Sequence, residues 1–124
     1  MKINKGDVIF IKYGILKSDE GRHITEKPHM FVVTSVSNNI TACSTSSKED
    51  KVNKMFPYNI SLLNAIEAGF NKENTHVKVD RRINIKPEDV YKIVGHLSNI
   101  DYINVISAYN KVPASKYIII ETIN

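Results

Sequence analysis

The stretch THVKVDRRINIKPEDVYKIVGHLS, residues 75–98, holds two strands, a turn and a cluster of charge. Val77 and Val79 alternate with Lys78 and Asp80, the period of a strand, in which successive side chains leave on opposite faces. Such a strand buries two valines and presents an ammonium and a carboxylate side by side on its other face. Arg81 and Arg82 follow at once. Pro87-Glu88-Asp89 reads as a turn or a single helical turn, and Tyr91 to Leu97 as a further strand. Ser98 with Asp101 has the form of a capping box opening a helix over 99–112. The stripe of that helix is Ile100, Ile103, Ile106, Tyr109 and Val112, and Pro113 stops it. An acid framed by cations suits a site that grips a phosphodiester and moves a proton.

Working outward, Gly6-Asp7 is a turn and Val8 to Tyr13 a strand rich in β-branched and aromatic residues. Residues 14–28 form a long polar loop, a kind of segment that is usually functional or mobile. Pro28 ends it and holds Lys27 extended. Met30 to Val36 and Ile40 to Ser46 are strands joined at Asn38-Asn39, a hairpin. Within the second, Ile40 and Ala42 face one side, and Thr41, Cys43 and Thr45 the other. Residues 48–54 read as a charged surface loop. Residues 59–70 read as a short helix with Leu62, Leu63, Ile66 and Phe70 on one face, Asn59 at its start and Gly69 at its end. The tail from Lys116 to Ile123 supplies a last strand or a strand-adding arm. Nothing alternates as strand–helix–strand, so a parallel sheet is not expected. The expected fold is mainly β: a strongly bent antiparallel sheet with helices packed on it.

At 124 residues the chain is one domain, 1–124, with a flexible or strand-forming tail over 113–124. Its 42% hydrophobic and 24% charged content is that of an ordinary globular protein. A net charge of +4 and a pI near 9.1 lean towards a polyanionic partner. The lone cysteine, Cys43, excludes an internal disulfide and fits a reducing compartment. The opening MKINKGDVIF lacks the apolar region and cleavage site of a secretion signal, and no apolar run approaches the roughly 18 residues of a membrane span. A cytoplasmic protein without membrane attachment is expected. Four dispersed histidines and one cysteine have no metal-ligand spacing, and no glycine-rich phosphate loop is present. No cofactor or metal is expected.

The order of these signals resembles the PemK/MazF toxins, the endoribonuclease halves of bacterial toxin–antitoxin pairs. Gly6-Asp7-Val8-Ile9 is similar to that family's opening strand. Lys27-Pro28 stands where the family usually has Arg-Pro, before an apolar strand, here Phe31-Val32-Val33-Thr34-Ser35. Ala42-Cys43-Ser44-Thr45-Ser46 resembles the strand that carries a catalytic-site threonine or serine. Val77-Lys78-Val79-Asp80-Arg81-Arg82-Ile83 and Gly95-His96-Leu97-Ser98 resemble two later segments, so the likeness runs roughly from Lys5 to Val112. It implies an SH3-like, plasmid-addiction-toxin barrel with a C-terminal helix, usually homodimeric. It also implies cleavage of single-stranded RNA without a metal, and inhibition by a cognate antitoxin.

Metal-free RNA cleavage needs a base for the 2′-OH, cations for the charge developing on phosphorus, and an acid for the leaving 5′-oxygen. The catalytic candidates are Lys27, Thr45, Lys78, Asp80 and His23. Candidate RNA contacts are Arg22, Ser44, Ser46, Lys48, Arg81 and Arg82. Asp80 or His23 would serve as base. A lysine would serve as acid only with its pKa well below about 10.4. Plainer roles compete: Asp80 as a structural ion-pair partner, Thr45 as a residue favouring strand, and Cys43 as a buried inert thiol. Alternation places Arg81 and Arg82 on opposite faces, so only one would reach a groove. His76 and His96 read as structural. Two other readings stay open on this sequence: a non-catalytic RNA- or protein-binding module, and a gyrase-poisoning toxin on the same barrel.

Overall fold

The computed structural model describes residues 2–12, 15–16, 30–47, 58–116 and 118–122. The strands are β1 (Asp7–Ile11), β2 (Met30–Val36), β3 (Ile40–Ser46), β4 (Asn59–Ser61), β5 (His76–Ile85), β6 (Val90–His96) and β7 (Ile118–Ile119). One helix, α1, spans Asn99–Lys111, and Pro87–Asp89 forms a short 3-10 turn. The strands make a seven-stranded sheet in the order β4-β5-β3-β2-β1-β6, with β7 paired to β5. Along that path every pairing is antiparallel, and among the described residues the hydrogen-bonded path does not close on itself.

Three details differ from the sequence expectation. The segment read as a helix over 59–70 starts as strand β4 and continues as turns. Asn59-Ile60-Ser61 alternates polar and apolar residues, and pairing with β5 satisfies its backbone where an isolated short helix would be marginal. The pairing of β7 with β5 is parallel, because α1 reverses the chain and returns it along β5. α1 buries Asp101 and Val105 in place of Ile100 and Ile103, which are 52% and 64% exposed; of the expected stripe Val112, just past the helix end, is buried.

Both faces of the sheet are covered. On one, Val8, Val32, Cys43, Val77 and Val79 pack with Leu62, Ala68, Phe70, Val105 and Val112 from the 62–70 segment and the α1 region. On the other, Ile9, Phe31, Val33, Ile40, Ala42, Ile83 and Val90 form a second cluster closed by Ile3 and Leu16. Burying each valine, leucine, isoleucine or phenylalanine among them contributes about 1.5–3 kcal/mol.

The 62–70 segment carries the chain across to β6. A methyl group on Gly95 would lie 1.9 Å from the Ala68 carbonyl oxygen, so only glycine allows the two backbones to meet. Gly69, at φ +106, makes the matching bend against Val94. The segment is pinned from α1. Asp101, 1% exposed, accepts from the Leu63 amide through Oδ1 and the Asn64 amide through Oδ2, each at 2.8 Å. Ser98, the helix N-cap, accepts from the Asp101 amide at 3.3 Å and from Asn64 Nδ2 at 2.9 Å.

Candidate functional site

The charged segment of β5 is not a continuous strand against β3. Cys43 and Ser44 are neighbours, but their register partners are Arg82 and Lys78, so Val79, Asp80 and Arg81 stand outside the β3 ladder as a bulge. Before the bulge, the free side of β5 is taken by β4, with Asn59 opposite Lys78; after it, by β7, with Ile118 opposite Arg81.

Arg82 braces the bulge from inside. It is 5% exposed, its Nε donates to the Val79 carbonyl at 2.9 Å, and its Nη2 donates to the Tyr109 carbonyl at 2.7 Å. The guanidinium also lies 3.6 Å from the centroid of the Tyr109 ring. Arg82 therefore ties β5 to α1 and is turned away from solvent. Of the two arginines, Arg81 is the partly exposed one.

Asp80 rides on the bulge. Alternation alone would set it openly beside Lys78, but the looped backbone draws it in to 6% exposure. Its Oδ1 has no hydrogen-bond partner among the described residues. A buried unsatisfied carboxylate oxygen costs free energy, and a catalytic role or a bound water or ion is among the explanations for one in a native protein.

Register decides which hydroxyl accompanies the lysine. Ser44, Lys78 and Asn59 are cross-strand partners and leave the sheet on the same side. The next row, Ser46, His76 and Ser61, shares that side, and His76 Nδ1 lies 3.0 Å from Ser61 Oγ. Thr45 pairs with Val77 and leaves on the opposite side, where its Oγ1 donates to the Met30 carbonyl at 2.8 Å. Ser44 and Ser46, not Thr45, therefore share a face with Lys78. Asn59, Ser61 and His76 were missed as companions of Lys78; the polar–apolar alternation of Asn59-Ile60-Ser61 was the signal. Lys27, His23, Arg22 and Lys48 lie outside the described residues.

Cys43 sits beneath the bulge, fully buried, with its Sγ 3.9 Å from the Val79 carbonyl oxygen. Burial pushes its thiol up to about 12, against the opposing pull of the Arg82 charge, so it stays protonated and unreactive at neutral pH. At the far end of β6, His96 Nδ1 meets Asp7 Oδ1 at 2.7 Å. Among the described residues, no helix is long and apolar enough to cross a membrane, and no group of three or more His, Cys, Asp or Glu is placed to hold a metal ion.

No family model and no curated protein matches the sequence. Solved structures do match the fold. A mycobacterial endoribonuclease in complex with its cognate antitoxin superposes at a TM-score of 0.56, with 10% identity over 90% of this chain and 98% of that one. The Mycobacterium tuberculosis toxin MazF-mt6 superposes at 0.58, with 11% identity over 84% and 92%. A further mycobacterial endoribonuclease gives 0.55, at 8% identity over 88% and 91%. The chain has the fold of these toxins, a bent antiparallel sheet with a C-terminal helix, over nearly their whole length.

Proposed function

We propose that this chain is a toxin endoribonuclease of the PemK/MazF type, cutting single-stranded RNA by attack of a 2′-OH on the adjacent phosphorus and held in check by a cognate antitoxin. The observation that carries the reading is Asp80: a buried carboxylate, one oxygen without a partner among the described residues, on a bulge next to Lys78 and Arg81. The fold supports it, since each of the matched structures described above is named a toxin or an endoribonuclease.

In this reading Asp80 takes the proton from the 2′-OH. Lys78 and Arg81 stabilise the charge that builds on the phosphoryl oxygens. Ser44, on the side that Lys78 shares, donates to a non-bridging oxygen. Arg82 acts through the bulge it braces and does not contact RNA. Lys27 enters on the sequence resemblance and His23, Arg22 and Lys48 on the sequence reading, with Lys27 as the acid for the 5′-oxygen, His23 as the alternative base and Ser46 as a flanking contact. The requirement for a 2′-OH makes the activity specific to RNA. Two copies of the chain form the working unit, in the cytoplasm and without a metal, again on the resemblance.

The test is incubation of purified protein with a varied single-stranded RNA pool in EDTA. Cutting that leaves 2′,3′-cyclic phosphate ends is expected, and its replacement of a ribose by deoxyribose 5′ to the cut should abolish it. An RNA pool left intact by protein free of inhibitor would overturn the reading.

A further inference from the structure

Thr45 and Ser46, from the two sides of β3, open onto a groove of about 270 Å³ at the end of the strand. One wall is the end of β3, Thr45 to Ser47, and the other is the 70–75 turn; Thr45, Ser47, Phe70, Asn71, Lys72 and Thr75 line it. The groove is built rather than incidental. Asn74 Nδ2 donates to the Ser47 carbonyl at 3.2 Å, tying one wall to the other. Thr75, 3% exposed, donates through Oγ1 to the Lys72 carbonyl at 2.6 Å and fixes the turn. Thr45 is held by its bond to the Met30 carbonyl at 2.8 Å.

The lining has a definite chemistry. Phe70 is 5% exposed and makes an apolar floor. Asn71 is exposed at the rim, and its amide offers a donor and an acceptor side by side, which match two adjacent atoms on the edge of a heterocycle. Lys72, also exposed, supplies a point charge suited to phosphate. The hydroxyl oxygens of Thr45 and Thr75 retain lone pairs as acceptors. The volume is below that of a drug-sized site and admits a single ring system. An apolar floor, a two-point polar reader and one cation are what recognition of a splayed-out base requires.

We infer that the groove between the end of β3 and the 70–75 turn binds one unstacked nucleobase with its phosphate, Asn71 reading the base edge and Lys72 holding the phosphate. This rests on the RNA reading above and adds where base preference originates. The groove takes in Ser46 as well as Thr45, so it spans both sides of β3 at the end of the strand, one residue beyond Ser44 and its partner Lys78.

The experiment titrates 15N-labelled full-length protein with each of the four ribonucleoside 5′-monophosphates and with inorganic phosphate. Shifts centred on the amides of Thr45–Ser47 and Asn71–Thr75 are expected, with one base preferred. Asn71→Ala should level the four bases, erasing a preference of roughly fivefold or more. Lys72→Ala should weaken all four alike and flatten the salt dependence. Both side chains are exposed, so neither change threatens the fold. If RNA is not cut but these amides respond with base preference, the nuclease reading falls and the base site stands. If RNA is cut while the amides stay silent, or Asn71→Ala leaves the preference intact, the base site is overturned.

Discussion

Asp80 and Asp101 are both buried aspartates, 6% and 1% exposed, and their carboxylates are bonded in opposite ways. Asp101 has a backbone amide on each oxygen, and those bonds hold the 62–70 segment against the N-terminus of α1. Asp80 sits on a bulge with an oxygen that finds no partner among the described residues. Under the proposed function the difference has a reason: a carboxylate whose acceptor capacity is used up by its own fold has nothing left for a substrate, and one left short does.

The sharpest way to break this contrast is to delete each carboxylate in turn. Asp80→Ala is expected to lower RNA cutting by roughly a hundredfold or more, the usual worth of a general base. Stability should shift by about 1 kcal/mol, less than for Asp101, because one of the two oxygens removed, Oδ1, is unsatisfied. A large loss of stability with cutting retained would reverse the assignment. Asp101→Ala should do the converse and cost about 3 kcal/mol in urea denaturation, since it strands two amides of the 62–70 turn. Hydrogen exchange at Leu63 and Asn64 should quicken in the same variant.

Arg82 sharpens the contrast from within the bulge. Arg82→Ala strips a donor from the Val79 and Tyr109 carbonyls and a cation from the Tyr109 ring. The expected cost is about 2 kcal/mol, accompanied by reduced cutting as the bulge relaxes. If stability falls and cutting does not, Arg82 positions nothing.

The effect that vanishes at neutral pH concerns Cys43. Its thiol goes from 9.0 to about 12 on folding, so between those values the unfolded chain has lost a proton that the folded chain keeps. Stability therefore falls as pH rises through that window, by at most about 1.4 kcal/mol per pH unit. Cys43→Ala should remove this part of the alkaline slope in denaturation curves. An unchanged slope would mean that the thiol is not held in its protonated form.

Much of the fold was legible because strand patterning is local. The alternation around Val77 and Val79, the Asn38-Asn39 turn and Ser98 before α1 each fixed an element near its observed place. The segment over 59–70 was not legible, since Leu62, Leu63, Ile66 and Phe70 satisfy a helical period while the backbone instead pairs with β5 and then turns towards β6. Ile100 and Ile103 misled for the same reason: apolar spacing does not say which side of a helix the sheet will cover, and α1 buries the face carrying Asp101 and Val105.

For the candidate site, sequence alone determined the ingredients: an acid among cations on one strand, hydroxyls on another, and a thiol in an apolar stretch. Which of them meet was decided by tertiary structure. The looped-out Val79–Arg81 segment turned Asp80 inward, gave Arg82 to the Val79 and Tyr109 carbonyls, and set Ser44 rather than Thr45 across from Lys78. The physical reason is that strand register and bulges are fixed by cross-strand hydrogen bonds between distant segments, and one residue of slip moves every side chain to the other face.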